Sequence, residues 1–161
     1  NRVEMTRKKS IFALMVSMLF SATTSAAAVD LKLTSENGDV LAIYNQPMIS
    51  ELGLREIRTT TPWTDGVVKF EGTALRSILA DAGVADRNVT ALSMDDYAAS
   101  MSADLINEHD PIVATRMNGK FLQAGDKGPF WIMFDFDAMP AEDAAEMHSY
   151  SVWHLNELEV E

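Results

Sequence analysis

Residues 113–134 read VATRMNGKFLQAGDKGPFWIMF, and three structural signals follow one another inside them. Pro111 to Met117 has the apolar and β-branched composition of a strand. Asn118-Gly119 then predicts a hairpin turn, because both residues accept the positive φ that a tight two-residue loop needs. Beyond Gly128-Pro129 comes FWIMF, Phe130 to Phe134, an unbroken apolar run expected as a buried central strand. Strand, turn and buried strand in that order call for a sheet with antiparallel pairing.

The flanking sequence extends that sheet. Leu31 to Thr34 alternates in polarity, Asn37-Gly38 is a second hairpin turn, and Val40 to Tyr44 is the return strand. Pro47 to Leu52 is a short helix candidate stopped by Gly53, and Leu54 to Thr60 is extended. The clearest helix is TALRSILADAG, from Thr73, where Ala74, Leu75, Ile78, Leu79 and Ala82 keep the 3.6 period before Gly83. Asn88 to Met94 and Tyr97 to Met101 are strand candidates, and Ser102 caps a helical turn reaching Ile106. Asp135 to Met147, acidic and alanine-rich, is expected as a loop with one helical turn. Val152 to Val160 alternates and closes the sheet. The expectation is an α+β fold, a mixed or antiparallel sheet with a few short helices.

With 161 residues, 47% hydrophobic and 23% charged, the chain has the balance of one ordinary globular domain. Its beginning has a different character. From Met5 it reads MTRKKSIFALMVSMLFSATTSAAAVD, with a basic start at Arg7, Lys8 and Lys9, an apolar stretch Ile11 to Phe20, and small residues Ala26-Ala27-Ala28. That is the pattern of a cleaved secretory signal. Residues 1–28 are therefore expected to be a signal peptide, with 1–4 as an upstream extension, and 29–161 a single periplasmic domain. The apolar stretch is short of the roughly 20 residues that span a bilayer.

Cysteine is absent, which excludes a disulfide framework, a thiolate metal site, a cysteine nucleophile and a lipidated cysteine. The net charge is -11; residues 1–28 hold Arg2, Arg7, Lys8, Lys9 and Glu4, so removing their +3 leaves -14. So acidic a surface repels nucleic acid and suits small ligands or protein partners.

Motifs for catalysis are absent. His109, His148 and His154 lack metal-ligand spacing, and neither a G-x-S-x-G elbow nor a glycine-rich phosphate loop occurs. Asp95-Asp96 and Asp135/Asp137 are carboxylate pairs, a type usable in acid–base work but common at solvated loop ends. The run RTTTPWTDG, Arg58 to Gly66, has no packing reason. A loop tryptophan such as Trp63 is often a packing plug. Here Thr60, Thr61 and Asp65 set donors and acceptors beside its flat face, the combination that planar heterocycles require. Trp131 reads as core, and Trp153 as either core or site. Asp96-Tyr97 follows a strand directly, while Arg116 and Lys127 are cations in a chain poor in them.

In order, FEGTALRSILADAG, VTALSMDDYAASM, VATRMNGKFLQAGDKGPFWIMF and SVWHLNELEV resemble the oxidoreductase molybdopterin-binding domain, the sulfite oxidase fold, over about residues 54–160. The resemblance implies a pterin-type ligand. Catalytic members hold molybdenum through a cysteine that would fall within Thr59 to Thr61, where this chain has threonine. Where members that clamp a phosphorylated cofactor carry R-S-V-K, this chain has Tyr150-Ser151-Val152-Trp153. Both departures match the small periplasmic members that bind free reduced pterins, the PruR-type regulators. The resemblance then implies a tetrahydropterin-type ligand without molybdenum and a non-catalytic sensor. Its partner would be the periplasmic domain of a membrane-bound diguanylate cyclase/phosphodiesterase, with effects on cyclic-di-GMP and biofilm. The expected ligand-binding set is Arg58, Thr60, Thr61, Trp63, Asp65, Asp96, Tyr97, Arg116, Lys127, Tyr150 and Trp153. In it Trp63 walls the ring, Asp96 or Asp65 accepts from its N–H edge, and Arg116 or Lys127 meets its carbonyl. The competing expectations are a molybdopterin-dependent oxidoreductase with a non-cysteine ligand and a ligand-independent interaction module.

Overall fold

The computed structural model describes residues 28–161, so apart from Ala28 the expected leader lies outside the described residues. Among the described residues the fold is α+β, with two five-stranded sheets that are mostly antiparallel and four short helices. In the first sheet the order is β2 (Val40–Tyr44), β1 (Leu31–Ser35), β10 (Leu155–Val160), β5 (Val89–Ser93) and β6 (Ala98–Met101). Its one parallel pair joins β1 to β10, with Leu33 opposite Leu158. The second sheet runs β3 (Leu54–Thr59), β4 (Val68–Ala74), β7 (Ile112–Met117) and β8 (Lys120–Phe121), and β9 (Trp131–Met133) also pairs with β7.

Local chemistry sets many of these boundaries. Helix α1 (Gln46–Glu51) starts where the Asn45 side chain accepts the Met48 N–H at 2.9 Å, and Gly53 beyond its end has a φ of 128°. Helix α3 (Ala103–His109) starts at Ser102, whose Oγ accepts the Leu105 N–H at 3.1 Å. The turn at Asn118-Gly119 has positive φ at both residues, 50° and 83°, as the hairpin reading requires.

Three expectations are corrected. Thr73 and Ala74 belong to β4, where they face Val113 and Ile112, so helix α2 (Leu75–Asp81) starts later than its apolar period suggests. Strand pairing takes precedence at the first two positions of that pattern. FWIMF supplies only a three-residue strand, and it is not central. One side of β9 pairs with β7; on the other, the Ile132 N–H reaches the Val152 carbonyl at 2.9 Å, in a stretch that is not a strand. Finally, residues 136–147 form a 3-10 turn, Phe136–Ala138, and a two-turn helix α4 (Ala141–Met147), with Glu142 and Asp143 favourably placed in its first turn.

One buried core cluster draws on both sheets. Leu31, Leu33, Phe70, Leu75, Ile78, Trp131, Phe134, Leu155 and Leu158 are all buried in it. Because Leu155 donates its N–H to the Phe130 carbonyl at 3.0 Å, the chain around β9 joins the two sheets. Among the described residues no helix is long and apolar enough to cross a membrane.

Candidate functional site

A cavity of about 340 Å³ opens where three segments converge, a size within the roughly 300–1,000 Å³ of small-molecule sites. Trp63 comes from the β3–β4 loop. Ser93 ends β5, and Asp95 and Tyr97 come from the β5–β6 turn. His148, Ser151, Val152 and Trp153 come from the stretch between α4 and β10.

The walls are aromatic and lean on one another. Trp63 lies 5.3 Å from Trp153 and 5.8 Å from Trp131 between ring centroids, with interplanar angles of 69° and 57°. Trp131 is buried and gives its indole N–H to the Ser151 carbonyl at 3.2 Å, which anchors this cluster in the core. Trp63 itself is only partly buried. His148 meets Trp63 and Phe136 edge-on, at 5.4 and 4.7 Å. Such tilted contacts fix ring orientation and are each worth about 0.5–1.5 kcal/mol beyond area burial.

The polar groups are few. Among the described residues Asp95 is the one carboxylate in the cavity's lining, and no Lys or Arg lines it. The Asp95 N–H donates to Ser93 Oγ at 2.9 Å, and its Oδ2 lies 2.7 Å from His154 Nδ1. Tyr97 gives its hydroxyl proton to the Ser149 carbonyl at 2.7 Å, tying the β5–β6 turn to the C-terminal stretch. The Lys127 ammonium sits 4.3 Å from the centre of the Trp153 ring, a cation–π contact outside the lining.

Of the residues singled out in the sequence, the fold brings Trp63, Tyr97 and Trp153 into this cavity and Lys127 against it. Thr60 and Thr61 line a shallower neighbouring hollow with Phe136, Asp137 and His148. There the Thr60 N–H and hydroxyl both donate to the Asp137 carboxylate, at 2.8 and 2.6 Å. Thr61 Oγ accepts the Trp63 N–H at 3.1 Å, so the threonine run shapes the loop that presents Trp63. Arg58, Asp65, Asp96, Arg116 and Tyr150 are not brought to the cavity. Arg58 is exposed and pairs with Glu56 at 2.6 Å. Asp65 and Asp96 are exposed, Asp96 with a φ of 62°. Arg116 lies on β7 with its guanidinium 4.4 Å from the Phe121 ring centre. Tyr150 packs against the core, and its carbonyl accepts the Val152 N–H at 2.9 Å.

Ser93, Asp95, His148, Ser151 and Val152 line the cavity without having been selected from sequence. Asp95 was visible only as half of a carboxylate pair, and Ser151-Val152 only as part of the stretch before Trp153. His148 carries no local signal, because its place depends on how α4 docks. Among the described residues no group of three His, Asp or Glu side chains could hold a metal ion.

The family model described as oxidoreductase molybdopterin binding domain matches residues 44–133. No curated protein matches the chain.

Proposed function

This chain belongs to the oxidoreductase molybdopterin-binding domain family, and from that premise we propose that it holds a reduced pterin without molybdenum and serves as a sensor. The observation that carries the reading is the cavity itself: tryptophan walls at Trp63 and Trp153, one carboxylate at Asp95, and no cation in the lining. A pterin is flat and aromatic, with an amino group and ring N–H donors along one edge. Trp63 suits one of its faces, Trp153, set at 69° to Trp63, walls its rim, and Asp95 suits that donor edge.

The rest of molybdopterin does not fit these residues. No cysteine exists to ligate molybdenum, and threonine occupies Thr59 to Thr61, with Thr60 engaged by Asp137. A phosphate would sit beside the Asp95 carboxylate with no Lys or Arg in the lining to pair with it, an unfavourable placement for a dianion. The leader-like N-terminus supports a periplasmic setting. The resemblance to the PruR-type regulators supports a partner, the periplasmic domain of a membrane-bound diguanylate cyclase/phosphodiesterase, and through it an effect on cyclic-di-GMP and biofilm.

Calorimetric titration of residues 29–161 with a tetrahydropterin and with molybdopterin tests the reading. Heat with the first and little with the second is the expected result; no heat with any reduced pterin would sink it. Trp63→Ala should lower pterin affinity by roughly 1–3 kcal/mol, the scale of one aromatic stacking contact. Its melting temperature should change less than that of Trp131→Ala, since Trp131 is 1% exposed and Trp63 partly exposed. Unchanged affinity in folded Trp63→Ala would refute the stacking role.

A further inference from the structure

The carboxylate of the cavity is tied to a surface turn through one imidazole. His154 Nδ1 lies 2.7 Å from Asp95 Oδ2, and its Nε2 lies 2.9 Å from the Ala124 carbonyl oxygen. The same residue gives its backbone N–H to the Lys127 carbonyl at 3.0 Å, and its own carbonyl accepts the Met94 N–H at 2.9 Å. Lys127 in turn lays its ammonium over Trp153, a cavity wall. The 3-10 turn Ala124–Asp126 with Lys127 is therefore fastened to the cavity by two side-chain contacts, one through His154 to Asp95 and one from Lys127 to Trp153, beside the main-chain bond from His154 to Lys127. The Asp95 side chain is 63% exposed, and among the described residues His154 is the hydrogen-bond partner of its carboxylate.

We propose that His154 is a positioning residue that couples ligand occupancy to the turn Ala124–Lys127. As an imidazolium, the form in which both ring nitrogens donate to these two acceptors, it gives Nδ1–H to Asp95 Oδ2 and Nε2–H to the Ala124 carbonyl, and leaves Asp95 Oδ1 to accept from a ligand N–H. A ligand that engages Oδ1 stabilises the carboxylate orientation His154 needs, and so tightens the hold on the Ala124 carbonyl. Coupling of this kind is reciprocal: the turn in its fastened state favours the ligand by the same factor that the ligand favours the turn. The exposed turn is then a reporter of cavity occupancy that a protein partner can read. This rests on the reading of the cavity as a pterin site.

Hydrogen exchange gives the test, because the Asp126 and Gly128 N–H groups both bond to the Gln123 carbonyl, at 2.9 and 2.8 Å, and report opening of the turn. Saturating tetrahydropterin should slow their exchange about fivefold or more, the lower end of ordinary allosteric coupling. In His154→Asn the slowing should vanish and affinity should fall by a similar factor. Asparagine is chosen because it tolerates the φ of 50° at this position and is too short to bridge both oxygens. Asp95→Ala, at an exposed position, should also abolish the slowing at ligand saturation. Binding with unchanged exchange in the wild type overturns the coupling alone, as does slowing that survives in His154→Asn. Absence of any binding overturns the pterin reading and the coupling with it.

Discussion

Asp95 and Asp96 are neighbours with the same side chain, and only one lines the cavity. Asp96 takes a left-handed backbone, φ 62°, at the apex of the β5–β6 turn, while Asp95 lines the cavity with its side chain 63% exposed and bonded to His154. Sequence marks the pair but not which member the turn places at the cavity. Asp95→Asn should weaken pterin binding by about 1.5–3 kcal/mol, the scale of a hydrogen bond to a charged group, while Asp96→Asn leaves it within about 0.5 kcal/mol; paired titrations check this. Tyr44 offers a second residue-scale prediction. It is buried and gives its hydroxyl proton to Asp81 at 2.5 Å. Burial, then that bond and the Asp81 charge, push its phenol well above the usual tyrosine range. The folded state thus retains a proton that the unfolded chain releases near pH 10. The associated stability is complete below that pH and declines as pH rises above it, by about 1.4 kcal/mol per unit. Urea unfolding at pH 9, 10 and 11 should show the wild type losing its advantage over Tyr44→Phe across that window. A constant difference would contradict the assignment.

Among the elements, β4 is the one whose sequence conceals it. Gly72 lies where β4 and β7 shift register, and a Cβ there would stand 2.0 Å from the Val113 carbonyl oxygen. Two backbones approach too closely for any side chain. Gly72→Ala should destabilise the fold by about 1–3 kcal/mol or more through overpacking, measured as a lower urea midpoint with an unchanged slope. Elements with a local cause were legible: α1 through its Gly53 stop, α3 through its Ser102 cap, the hairpin turns through Asn-Gly. Elements with a distant cause were not. Thr73 reads as helix until Val113 is beside it, and Trp131–Met133 reads as a central strand until the chain at Val152 covers its second edge. The site divides the same way. Trp63 stood out by its polar neighbours, Tyr97 by following a strand directly, and Trp153 only as undecided between core and site. His148 stayed hidden, since its place depends on α4 packing beside Phe136.

At the scale of the molecule, four of the cavity's eight lining residues, His148, Ser151, Val152 and Trp153, lie beyond the family match at residues 44–133. Half of the lining therefore comes from the C-terminal stretch between α4 and β10. That stretch leads into β10, which lies between β1 and β5 and is their only bridge in the first sheet. A chain ending at residue 154 keeps the β1–β2 and β5–β6 hairpins with nothing to join them. It should lose cooperative thermal unfolding by circular dichroism, whereas removing Glu161 alone should leave a sharp transition. The position of β10 also imposes a timetable on synthesis. Strands β1 and β2 leave the ribosome early, yet their sheet cannot close until residues 155–160 have emerged. The second sheet needs nothing beyond Met133, but the central edges of β1 and β5 stay unpaired until synthesis is nearly over and are open until then to any chaperone that grips extended chains.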